Sequence, residues 1–170
     1  MSPIVTKNIL RFVSLLFLQV LVIGHIQISS MVTPFIYILA IIMLPFNTPR
    51  WLLLFSAFVL GFFVDIFSGT MGLNMSAILI AAFIRPYVLN LISFGRDYED
   101  EEVPNLRNLG VDRFVAYISI MIVVHHSAIF LLEIFRLNEL GTTFLRIIYS
   151  SLATFVLVFL WQLLFASRKK

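Results

Sequence analysis

Residues 60–74 read LGFFVDIFSGTMGLN, a carboxylate set inside an apolar run with two glycines close behind it. How this stretch divides decides the fold. With its flanks it belongs to more than forty residues, 51–93, that are almost continuously apolar. A helix needs about 20 residues to cross the hydrocarbon of a bilayer, so one helix cannot hold them all. The chain must turn back, and residues 69–72, where the glycines stand, are the place for the turn. Two antiparallel membrane helices are expected on either side.

Composition carries that reading to the whole chain. Of 170 residues, 61% are apolar, 12% are charged, and eighteen are Phe. A soluble domain carries about 25% charged residues because its surface meets water. Here most of the surface must meet lipid, and an all-α, polytopic integral membrane protein is expected. The absence of Cys removes disulfides, thiol catalysis and cysteine-ligated metals. The net charge of +3 does not call for nucleic acid, because membrane topology accounts for the basic residues. Lys7 and Arg11 before FVSLLFLQVLVIG resemble the start of a signal peptide, but HIQISSMVT offers no A-x-A-like cleavage site. An uncleaved first helix is expected.

Six apolar segments follow along the chain, at residues 9–28, 34–46, 51–68, 72–93, 113–135 and 142–166. The second has only thirteen residues and lies among prolines 34, 45 and 49, so it is tilted, partly re-entrant or sheltered by its neighbours. With six spans and both termini cytoplasmic, nine Lys and Arg fall inside: Lys7, Arg11, Arg50, Arg96, Arg107, Arg113, Arg168, Lys169 and Lys170. Only Arg136 and Arg146 fall outside, a strong positive-inside bias. The polar connection at residues 94–112, with Asp97, Glu99, Asp100, Glu101, Glu102 and Asp112, is expected as a solvated cytoplasmic loop; a docking segment for a basic protein is the sharper alternative.

The polar residues inside the spans carry the functional question. Gly61, Asp65, Gly69 and Gly72 recur four, four and three apart, within one helical stripe of about 80°. Small residues there let another helix approach closely, so Asp65 faces protein, within reach of N–H groups in the 69–72 turn, of Thr70 or of Asn74. Arg85 lies about 20 Å below the outer surface and Asp65 about 5 Å, too far apart to pair. Glu133 and Arg136 share the depth of Asp65, where the three can form an outer-leaflet cluster. Arg85 precedes Pro86, which kinks the span and frees a carbonyl. Arg85 either snorkels to the cytoplasmic headgroups or is buried between helices. His125 and His126 point about 100° apart, so a straight helix cannot offer both to one metal. Helix–helix hydrogen bonding is expected of them, ahead of a proton relay. No Walker loop, nucleophile elbow or metal-ligand spacing occurs, and neither a catalytic role nor a cofactor is expected.

The stretch GFFVDIFSGTMGLN followed by RPYVLN resembles the rod-shape-determining MreD family, with Gly61, Asp65, Gly69, Gly72 and Leu73 matching its central motif; HHSAIFLLEIF, residues 125–135, resembles a later span of some members. The resemblance implies a non-catalytic component of the bacterial elongation machinery for side-wall peptidoglycan. Its setting would be the inner membrane, beside an MreC-like protein, the actin-like MreB filament, a glycosyltransferase and a transpeptidase. The Asp65 hairpin would then shape a face against which MreC packs. The family in turn resembles the substrate-binding components of energy-coupling-factor vitamin transporters, so a transport module is the alternative. A membrane enzyme of lipid or glycan metabolism would need convergent acid, base and metal groups, which the sequence does not show.

Overall fold

A computed structural model describes residues 3–25, 31–93, 102–134 and 140–165. Among these residues the chain is all-helical. Helix α1 (Pro3–Phe17) runs on into a π-helical turn (Leu18–Val22) and a 3-10 turn (Ile23–His25). Then come the short α2 (Ile38–Ile42), α3 (Arg50–Ser68), α4 (Leu73–Ile92), the single-turn α5 (Leu106–Leu109), α6 (Val111–Glu133) and α7 (Leu140–Phe165). Four of them, α3, α4, α6 and α7, are long and apolar enough to cross a membrane, with their boundaries within two residues of those expected. The first expected span is helical throughout its described part but changes pitch at Leu18. Arg136, residues 94–101 of the acidic connection and the basic residues 168–170 lie outside the described residues.

The four long helices pack in chain order, α3 on α4, α4 on α6 and α6 on α7. Each turns large apolar side chains outward: Phe55, Phe62 and Phe67 on α3, Phe83 and Leu91 on α4, Leu131 on α6, Phe144 and Leu164 on α7. The core is built around the short α2. Every residue from Ile36 to Met43 is buried, and α2 touches α1, α3, α4 and α6. A helix apolar on all sides is a buried one, and ILAII has no polar face to show water.

The α3–α4 hairpin depends on its glycines in two different ways. Gly69 and Gly72 have φ of +67° and +82°, the left-handed region that side chains with a Cβ resist. Gly69 ends α3 as its C-cap and Gly72 starts α4. Gly61 is needed for space: a Cβ there would lie 2.4 Å from Met75 Cα and 2.8 Å from an Ile78 methyl. Within the small-residue stripe, Gly61 therefore serves contact between α3 and α4, and Gly69 and Gly72 serve the turn. Gly61→Ala is expected to destabilise by about 2–3 kcal/mol, because the obstacle is backbone and the helices must separate. Reversible unfolding in detergent reads this, and an unchanged midpoint would refute the close approach.

The acidic connection is less loose than expected. Asn105 caps α5 by accepting from the N–H groups of Arg107 (3.0 Å) and Asn108 (2.8 Å). Leu109 is buried, Val103 and Leu106 pack on the core, and the Phe46 N–H donates to the Glu102 carbonyl at 2.9 Å. Apolar residues scattered among the charges dock this half of the connection, which corrects the expectation of a solvated loop for residues 102–110.

Candidate functional site

Asp65 sits in the last turn of α3 and its carboxylate receives four hydrogen bonds. The Thr70 hydroxyl donates to Oδ1 at 2.5 Å, the Asn74 N–H at 3.0 Å and Asn74 Nδ2 at 3.1 Å. The Met75 N–H donates to Oδ2 at 2.9 Å. Gly72, the residue before α4, has no side chain to cap the helix, so Asp65 supplies the cap from the preceding helix. The negative charge meets the positive end of the α4 dipole. Thr70 and Asn74 are partners, as the spacing implied. The backbone donors belong to the first turn of α4 and not to residues 69–72, because the left-handed Gly72 swings the helix start over the carboxylate.

From Asp65 a directed chain of hydrogen bonds enters the core. Asn74 Nδ2 donates both to Asp65 and to Thr70 Oγ1 (2.8 Å), which leaves its Oδ1 as acceptor. The Tyr37 hydroxyl donates to that oxygen at 3.0 Å. His125 Nε2, 2.8 Å from the same hydroxyl, must then be the protonated nitrogen and donate. His125 Nδ1 is buried with no partner among the described residues. His126 is assigned just as firmly by its partners. Its Nδ1 faces the Ile122 carbonyl at 2.9 Å and so carries the proton, and Nε2 accepts from Thr154 Oγ1 at 3.1 Å. Both rings serve helix packing, and among the described residues no three His, Asp or Glu side chains come together to hold a metal.

The expected second span resolves into a non-helical stretch, residues 32–35, that leads into α2. Its backbone is satisfied by side chains of the surrounding helices. The N–H groups of Thr33 and Phe35 donate to Ser150 Oγ and Thr154 Oγ1, both at 3.0 Å. The acceptors stand one turn apart on α7, about 6 Å, and the donors two residues apart, about 6.6 Å in an extended chain. Gln19, turned inward in the π-helical turn, accepts from the Ile36 N–H at 2.8 Å and donates to the Pro34 carbonyl at 3.3 Å. At membrane depth such backbone persists only where protein satisfies it. Thr154→Val strands two buried groups and is expected to cost about 1–3 kcal/mol, whereas Ser151→Ala, whose hydroxyl has no partner among the described residues, should stay within about 0.5 kcal/mol. Unfolding of the two variants side by side tests the assignment, and equal midpoints would defeat it.

Arg85 closes the other end of the same segment. It is 1% exposed, which excludes snorkelling. Its Nε donates to the Tyr117 hydroxyl at 3.0 Å, and Nη2 donates to the carbonyls of Leu44 and Pro45, the latter at 3.3 Å. The Tyr117 hydroxyl in turn donates to the Ile42 carbonyl at 3.0 Å. Arg11 reaches the Met43 carbonyl at 2.8 Å. The carbonyls released where α2 ends thus meet two guanidinium groups. Helix α4 runs unbroken through Pro86, and Arg85 is committed across the bundle instead of to its own helix.

At the end of the bundle that holds the 69–72 turn, a cavity of about 360 Å³ opens between the helices. Thr70, Asn74, Gln19, Phe35 and Phe130 line it, with Glu133 and Arg146 joined across it at 3.4 Å. Glu133 therefore pairs with Arg146 and Asp65 is committed to the hairpin, while Arg136, the third member of the expected cluster, lies outside the described residues. The Arg146 guanidinium lies 4.6 Å over the Phe130 ring. Sequence reasoning passed over Tyr37, Tyr117, Arg146 and the buried face of α7. A signal was present: Thr143, Ser150 and Thr154 recur on one stripe, and polar side chains sharing a stripe within a span require partners. Compared with protein-family models, curated proteins and solved structures, the chain matches none.

Proposed function

We propose that this chain is a non-catalytic membrane scaffold of the MreD kind, serving bacterial side-wall synthesis from the inner membrane. The observation that supports this reading is the behaviour of the residues that carry the resemblance. Gly61 permits the α3–α4 contact, Gly69 and Gly72 make the turn, and Asp65 caps α4 across it. They act as one device with a shape-holding purpose. Gln19, Arg85, Tyr117, His126, Ser150 and Thr154 likewise secure backbone and helices to one another, as a rigid scaffold requires. An MreC-like protein would be the direct partner, with the MreB filament, glycosyltransferase and transpeptidase reached through it.

The reading includes six crossings with both termini cytoplasmic. Four non-helical residues at about 3.3 Å each cover the length of about nine helical ones, so the segment at residues 32–46 is long enough to traverse the bundle. Because Gly61 and Asp65 face α4, the partner surface in this reading is the outer face of α3, where Phe55 and Phe62 project. Affinity capture of the tagged chain in mild detergent from its native cells, read by mass spectrometry, tests this. MreC-like protein and wall enzymes should be recovered, and Phe55→Ala with Phe62→Ala should weaken recovery without altering the fold. Recovery of a paired ATPase with a membrane coupling subunit would overturn the scaffold in favour of a transporter.

A further inference from the structure

We propose that the cavity between the 69–72 turn and the facing ends of α6 and α7 binds a small zwitterion, an ammonium joined to a carboxylate or phosphate with a short apolar body. Its volume of about 360 Å³ falls within the range of small-molecule sites, roughly 300–1,000 Å³. Its walls are held in place before any ligand arrives. Gln19 fixes the backbone of residues 34–36, while Thr70 and Asn74 are bound to each other and to Asp65. These polar groups already have partners, so recognition falls to Glu133 and Arg146.

That pair is open to a ligand. One carboxylate oxygen and one guanidinium nitrogen meet at 3.4 Å, long for a charge-assisted contact. Arg146 Nε is buried without a partner among the described residues. The guanidinium rests over the Phe130 ring, 4.6 Å from its centroid, which restricts its movement and holds its donors beside the cavity for an oxyanion. Glu133, nearly half exposed at its side chain, faces the same space and can receive an ammonium. The two charges cancel, and a ligand of net charge would satisfy one member of the pair and leave the other without a partner. A zwitterion answers both. Phe35, Leu73 and Ile129 supply the apolar wall for its body.

Two sources offer this chemistry, a phosphatidylethanolamine headgroup entering from the bilayer and a soluble amino acid entering from water. The test uses the full chain in phosphatidylglycerol nanodiscs. In one arm phosphatidylethanolamine is added to the bilayer; in the other, phenylalanine or leucine is added to the solution. Thermal unfolding and native mass spectrometry read both. One arm should give saturable stabilisation with a single bound molecule, and the arm that does so names the source. Arg146→Gln and Glu133→Gln should each weaken it by at least roughly tenfold, as loss of one charge-assisted hydrogen bond requires. Ser68→Trp, at an exposed rim position, should abolish it while leaving the core untouched. No saturable response in either arm, an equal response in all three variants, or the same response to inorganic phosphate alone would overturn the proposal.

Discussion

Replacing Asp65 with Ala is expected to destabilise the folded bundle by about 3–5 kcal/mol, because a helix cap and several buried donors lose their acceptor together. All four groups at the carboxylate are donors: the Thr70 hydroxyl, the Asn74 side-chain amide, and the N–H groups of Asn74 and Met75. The site thus asks for an acceptor-only group. Asp65→Asn should be intermediate, about 1–2 kcal/mol, since its oxygen can keep the Oδ1 partners while its NH2 opposes the Met75 N–H. Thr70→Val removes one donor to the carboxylate and one acceptor of Asn74 Nδ2, whose bond to Asp65 remains, and should cost about 1 kcal/mol. The order Ala, Asn, Val in unfolding free energy, measured by reversible denaturation in detergent, is the check. Equal effects for Ala and Asn would mean that the charge, and not the acceptor geometry, holds the hairpin.

Arg85→Met is expected to be comparably severe, about 3–5 kcal/mol, with much of the damage appearing 40 residues away in sequence. Met fills much of the same volume but offers no donor, so the carbonyls of Leu44 and Pro45 lose the guanidinium and the Tyr117 hydroxyl keeps only its bond to the Ile42 carbonyl. Lys keeps the charge and can reach the carbonyls, but it cannot also hold Tyr117 in the fixed geometry of a guanidinium; about 1–2 kcal/mol is expected for Arg85→Lys. The natural chain contains no Cys, so a single introduced thiol is an unambiguous reporter. Ile42→Cys, fully buried, should resist a water-soluble maleimide in the parent and become reactive in the Arg85→Met background. Asn47→Cys, exposed in both, is the control. Continued protection of position 42 would show that Arg85 does not anchor the segment.

The long helices were legible in the sequence because length and hydropathy act locally. The turn at residues 69–72 followed from two glycines within a run too long for one helix, and Thr70 and Asn74 followed from their spacing to Asp65. What escaped was pairing between distant residues. Nothing near Phe35 announces that its N–H belongs to Thr154, and nothing near Leu44 points to Arg85. Depth along parallel spans separated Arg85 from Asp65 correctly, but it carries no information about a backbone that leaves the helix. The Glu133 pairing was missed for a related reason. Arg136 stood nearest in sequence, whereas Arg146, further along, is brought back by the start of α7.

The non-helical stretch at residues 32–35 has a consequence for how the chain is made. A hydrophobic helix can enter the bilayer alone because its backbone is already satisfied; this stretch cannot, since its partners include Ser150 and Thr154. Phe35 leaves the ribosome 119 residues before Thr154 does. At about 5–20 residues per second, the early third waits roughly 6–24 s for the helix that completes it. During synthesis it must be kept at the membrane surface, beside the insertion machinery or in a provisional helix, and settle only when α7 arrives. A ribosome that stops before α7 would release a product with exposed backbone at membrane depth, an immediate target for membrane proteases. Helix α7 therefore certifies that the chain has been translated at least as far as the partners of residues 33 and 35.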